Sequence, residues 1–180
     1  MNNSKRYAII IILVCNGILI SFLESFIPIP IPIPGVKLGL GNIVTMIAIA
    51  FLGWRDVFFI VTIRCFVVAI LTRGVTMLPF SLSGGIFSAL VMILLYKKFF
   101  KFFRIKGISM AGAIVHSTAQ LVVASLLLGE LVVMYYLPVL LVSSVITGFI
   151  TGSVTQIAIE ELKKRNIFAQ NELPPDKKVE

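Results

Sequence analysis

Long apolar runs broken by short clusters of proline, glycine and charge organise the chain, and six of them read as helices. The first, about 7–27, stops at Pro28, because consecutive prolines offer no amide donors and cannot continue a helix. The second covers about 38–52 and ends at a Gly53-Trp54-Arg55-Asp56 turn that leads into the third, about 57–71. A polar break containing Arg73 and Gly74 precedes the fourth, about 79–96, whose start carries Ser81, Ser83, Gly84 and Gly85. The fifth spans about 108–128. After a tight Gly129-Glu130 turn, the sixth occupies about 131–159, with Pro138 bending or delaying it. Each run approaches the roughly 18–20 residues that cross a ~30 Å hydrocarbon layer. The pattern predicts an all-α polytopic membrane protein: a six-helix domain over 1–160 and a polar tail over 161–180.

Composition strengthens that expectation. Hydrophobic residues make up 58% of the 180 positions and charged residues only 13%, whereas a soluble domain carries about a quarter charged. The first run follows Lys5 and Arg6 as a secretory leader would. It is nevertheless too long, lacks a small-residue cleavage site and ends in prolines, so it reads as a retained span. Cys15 and Cys65 fall inside apolar runs and read as small hydrophobes rather than a disulfide or metal pair.

The net charge of +8 is placed, not spread. With the N-terminus inside, thirteen of the sixteen Lys and Arg fall in cytoplasmic segments: Lys5, Arg6, Arg55, the five in 97–106, and those of the tail. Lys37 and Arg73 lie outside and Arg64 lies within a span. This asymmetry predicts that both termini are cytoplasmic. No basic stripe interleaves with aromatics on a polar face, so nucleic acid is not an expected partner. The run KKFFKFFRIK (97–106) is a topology signal, or a dock for anionic lipid or a cytoplasmic partner.

The stretch FIPIPIPIPGVKLGLGN (26–42) is then extracytoplasmic. Alternating Ile and Pro favours a stiff, extended left-handed ribbon. Over 28–35 it forms either a fixed wall above the outer mouth of the bundle or a rigid spacer between the first two spans.

Ionisable groups among apolar helices are costly and need a partner or a task. Glu24, Arg64 and His116 are such groups, with Asn16, Asn42 and Gln120 as uncharged companions. His116 and Gln120, four apart, share a helix face, and either line a ligand cavity or bond to another helix. Arg64 either pairs with Glu24 or converges with Lys37 and Arg73 on an anionic substrate group, for which a guanidinium fork is suited. Gly39, Gly41 and Asn42 open the second helix, where free amides and close backbone approach offer either an anion seat beside Lys37 or a tight helix contact. Gly17 with Ser21, and Gly148 with Gly152, are small-xxx-small pairs for close helix packing, internal or with a partner subunit.

No phosphate-binding G-x-x-x-x-G-K-[ST] loop occurs, so ATP hydrolysis by that route is excluded. Neither a metal site nor a cofactor is expected.

The run LESFIPIPIPIPGVKLGLGNIV (23–44), with SLSGG, GISMAGAIVHSTAQ and YYLP further on, resembles a bacterial membrane family over about 7–159. That family is labelled Gx transporter, or heptaprenyl diphosphate synthase component I. It is in turn similar to the substrate-binding S components of energy-coupling factor transporters. Those are six-helix proteins that capture a small molecule from outside and rely on a partner membrane subunit with ATPases. The resemblance implies that Lys37, Gly39, Asn42, His116 and Gln120 line or shape the pocket. It also places the partner-docking motif near Gly17 and Ser21, where the usual pair of alanines is absent.

The synthase label meets a chemical objection, since prenyl elongation needs paired Asp-rich motifs to hold magnesium against diphosphate. Asp56 and Asp176 are the only aspartates. The sequence therefore points away from catalysis by this chain. Two functions remain: a substrate-binding uptake component in the bacterial plasma membrane, or a non-catalytic accessory subunit of prenyl diphosphate and menaquinone synthesis or of extracytoplasmic electron transfer. The expected ligand is small, and anionic or isoprenoid- or quinone-related.

Overall fold

The computed structural model describes residues 3–27, 37–72 and 74–165. The 28–35 ribbon, Arg73 and residues 166–180 of the 161–180 tail lie outside the described residues. Six α-helices follow one another: α1 (Asn3–Glu24), α2 (Asn42–Phe51), α3 (Trp54–Thr72), α4 (Leu78–Lys98), α5 (Phe100–Leu128) and α6 (Leu137–Lys164). Short 3-10 turns, Val75–Met77 and Leu131–Tyr136, precede α4 and α6. No strand is present among the described residues. The expected all-α bundle is the observed one.

Local chemistry accounts for most helix ends. Pro79 and Pro138 sit in the first turns of α4 and α6, where a missing amide costs nothing. Pro138 thus delays the sixth helix rather than bending it. Gly129 closes α5 in the left-handed conformation at φ 69°. The basic run expected before the fifth helix is helical on either side of Phe99, where α4 gives way to α5, and is broken again at Arg104, whose φ is +46°.

Among the described residues, four segments are long and apolar enough to cross a membrane: Asn3–Glu24, Val75–Lys98, Phe100–Leu128 and Leu131–Lys164. The 19-residue α3 has the length, but Arg55, Asp56 and Arg64 interrupt its apolar character. The second expected span is the clearest correction. Only Asn42–Phe51 is helical, about 15 Å of rise, half the depth of a bilayer. Nine of its ten residues are buried, and it touches each of the other five helices. A helix apolar on every side belongs inside protein; α2 is the central element of the bundle.

Arg6 grips Asp56 with two hydrogen bonds, at 2.6 and 3.0 Å, which fastens the start of α1 to the start of α3. An apolar cluster including Ile10, Phe51, Val57, Ile105 and Ile159 fills that end. A smaller one, Phe80, Leu121, Ala124, Val133 and Leu140, fills the other. Large apolar side chains such as Ile11, Phe59, Phe66, Phe87, Phe149 and Ile150 cover the outside, the face that lipid would wet.

The second small-residue pair serves internal packing. A Cβ on Gly148 would lie 2.6 Å from Met110 Cα, and one on Gly152 would lie 2.8 Å from Lys106 Cα. Backbone cannot step aside as a side chain can, so Gly148→Ala is expected to part α5 from α6. Overpacking of this kind costs about 1–3 kcal/mol, read as a lowered thermal unfolding midpoint in detergent. An unchanged midpoint would show that the two helices can separate without loss.

Candidate functional site

The chain leaves α1 at Glu24 and re-enters the described structure at Lys37, at the end of the bundle opposite Arg6. Gly39 takes φ +86°, a left-handed turn that only glycine adopts without strain. That turn aims the Gly39 N–H at Glu24 Oε1, 2.6 Å away. Amides ahead of a helix start lack intrahelical acceptors and carry partial positive charge. The sequence offers an anion seat or a tight helix contact there; the structure puts the chain's own Glu24 carboxyl group against it, 4% exposed.

Arg64 rises from the middle of α3 and is equally buried. Its stem fits because Gly17 has no side chain: a Cβ there would stand 3.1 Å from Arg64 Cδ. The guanidinium donates to the Gly41 carbonyl. Glu24 and Arg64 share one cavity wall, yet the close ion pair expected as one alternative is not formed between them. Gly17 and Ser21 therefore sit on the inner face of α1, both buried, and Ser21 lines the cavity. Of their two expected roles, internal packing or a partner helix, these contacts are internal packing.

From α5, Gln120 reaches in with no exposed surface. Its Oε1 accepts the Lys37 backbone N–H at 2.9 Å. That bond fixes the amide's orientation, because a flipped group would oppose two donors. The Nε2 therefore faces the other way and finds no partner among the described residues. His116, one turn earlier on the same face, is also buried, and its Nδ1 has no well-formed hydrogen bond among the described residues. Gly84 makes the space for both: a Cβ there would lie 2.9 Å from His116 Cε1 and 3.0 Å from Gln120 Cγ. Next to it, Gly85 leaves room for Val61, Cys65 and the Arg64 guanidinium.

Between them these groups enclose a cavity of about 20 Å³ lined by Glu24, Lys37, Gly39, Arg64, His116 and Gln120, with Ser21, Gly41, Cys65, Val68 and Ser81. That is room for a water-sized group, enough for the head of a ligand and not for a whole one. Of the expected site residues, Lys37, Gly39, Arg64, His116 and Gln120 meet here. Asn42 lies just behind the wall, 1% exposed, with Oδ1 3.3 Å from Ser88 Oγ. Arg73 lies outside the described residues. Asn16 faces outward and donates to its own helix at Ile12 O.

Sequence reasoning missed Glu24 as part of the wall and gave Gly84 and Gly85 no role. A signal for the glycines existed. Two adjacent glycines inside a helix cost about 1 kcal/mol each relative to alanine, a penalty that calls for close neighbours.

No curated protein and no solved structure matches the chain. One family model does, over residues 13–158, which takes in all of α2 to α5, most of α1 and α6, and the entire cavity wall. With that coverage, and with the motifs of 23–44 inside it, the chain belongs to the family described as heptaprenyl diphosphate synthase component I.

Proposed function

We propose that the chain is the substrate-binding membrane component of an uptake system, capturing a small anionic molecule from outside the cell. The observation that carries this reading is the gathering of Lys37, Arg64, His116 and Gln120, from three separate parts of the chain, around one cavity. Buried polar groups in an apolar bundle are expensive unless they face a partner or a ligand. The cavity also sits at the end of the bundle away from Arg6, Arg55 and the 97–106 cations. By charge asymmetry that end faces outward in a bacterial plasma membrane. Energy for release comes from a partner subunit with ATPases, since this chain has no phosphate loop.

The family description favours a second reading, a non-catalytic accessory subunit of prenyl diphosphate synthesis. Such a subunit needs no outward-facing solute site.

Mass spectrometry of small molecules carried through purification separates the two. Lys37→Ala and His116→Ala are each expected to lower retention of the co-purified molecule at least tenfold, with both variants still folded. Full retention by both would remove the cavity as the capture site.

A further inference from the structure

The wall of the cavity carries an uneven charge. Counted formally, with His116 neutral, Glu24 gives one negative charge and Lys37 and Arg64 one positive charge each. The sum is +1. A net charge enclosed by apolar helices is costly, and one ligand charge of opposite sign removes the imbalance. The second observation is independent of the charges: Gln120 Nε2, held by the Lys37–Gln120 bond, is a buried donor with no acceptor among the described residues. It needs an oxygen. His116 Nδ1, a ring nitrogen with no well-formed hydrogen bond among the described residues, borders the same space.

We infer that the cavity takes the carboxylate head of a singly charged ligand, with Gln120 Nε2 donating to one oxygen and Lys37 and Arg64 supplying the balancing charge. This rests on the capture reading above and narrows its ligand class. A phosphate monoester carries about 1.5–2 negative charges at neutral pH, and a diphosphate more; either would overshoot the wall's charge beside Glu24. A quinone or a prenyl alcohol has no charge to offer and would leave the wall unbalanced. The small cavity agrees, since its volume suits a compact head group better than a bulky one.

The test uses the full chain in detergent and a panel of probes sharing one hydrocarbon skeleton: a medium-chain monocarboxylate, its primary amide, its alcohol and its phosphate monoester. Geranyl diphosphate and a short-chain quinone complete the set. Thermal stabilisation gives an apparent affinity for each. The carboxylate is expected to bind at least tenfold more tightly than its amide, its alcohol and the polyanions.

Gln120→Glu is the informative variant, because it keeps the oxygen that accepts the Lys37 N–H and replaces the unpartnered donor with a second acceptor. The folded variant is expected to lose at least tenfold in carboxylate affinity and to close the gap between acid and amide. Equal carboxylate binding by the variant and the parent chain would overturn the inference. Tighter binding of the diphosphate, the phosphate monoester or the quinone would overturn the carboxylate class and leave capture standing. Binding of none of the probes would count against both.

Discussion

Gly41→Ala is expected to unseat Arg64 and to cost about 3 kcal/mol, the sum of overpacking and of a lost hydrogen bond to a charged group. Gly41 has φ −60° and ψ −15°, ordinary helical values that any residue adopts. Space alone forbids a side chain. A Cβ there would stand 2.7 Å from Ser21 Oγ and 2.8 Å from Arg64 Cζ.

A guanidinium at the end of a long side chain often yields cheaply, but this one is boxed in. Its stem rests against the position of Gly17, Gly85 lies beside its other nitrogen, and its donor is committed to the Gly41 carbonyl. Gly53→Ala supplies the control, since its Cβ would meet only Asp56 Oδ2, at 3.8 Å. Thermal unfolding in detergent should separate the two variants clearly. Equal midpoints would mean that Arg64 has a second seat, and that the wall is looser than described.

How far the site was legible follows from the kind of signal each part leaves. The long spans were readable because length and apolarity are additive along the chain, and α1, α4, α5 and α6 appear close to their expected places. The second failed because an apolar run between Lys37 and Gly53 has the same composition whether it meets lipid or protein. Part of that run was spent on the left-handed turn at Gly39, so the helix starts only at Asn42.

Lys37, Gly39, Arg64, His116 and Gln120 could be anticipated one by one, since each is an anomaly in an apolar setting. Their partners could not. A pair with Arg64 was one of two alternatives for Glu24, which accepts an amide ahead of α2. That choice depends on where the chain returns after the 28–35 ribbon, which no local pattern encodes. The pairing of Gly17 with Arg64 is invisible for the same reason: a glycine records that something comes close, and not what.

Arg64→Met should divide stability from binding, with the larger effect on binding. The replacement keeps a long apolar stem in the slot beside Gly17 and removes the charge. Two effects on folding oppose each other. The Gly41 carbonyl loses its donor, which costs about 1–3 kcal/mol for a buried acceptor. One buried charge also disappears, and a charge at membrane depth carries a penalty of about 2.5–3.5 kcal/mol on insertion scales. These nearly cancel, so the thermal midpoint of the empty protein should move by only a few degrees.

Ligand binding has no such compensation. With Arg64 gone, Glu24 and Lys37 sum to zero, and an entering anion becomes the unbalanced charge. A loss of about 2.8 kcal/mol, or 100-fold in affinity, is expected for the monocarboxylate, while its neutral amide should bind as before. Arg64→Lys should recover part of that affinity, because it restores the charge without the fork that reaches the Gly41 carbonyl. If the acid and the amide weaken together in Arg64→Met, the residue shapes the cavity without setting its charge preference. If the midpoint collapses while affinity per folded molecule persists, Arg64 belongs to the scaffold.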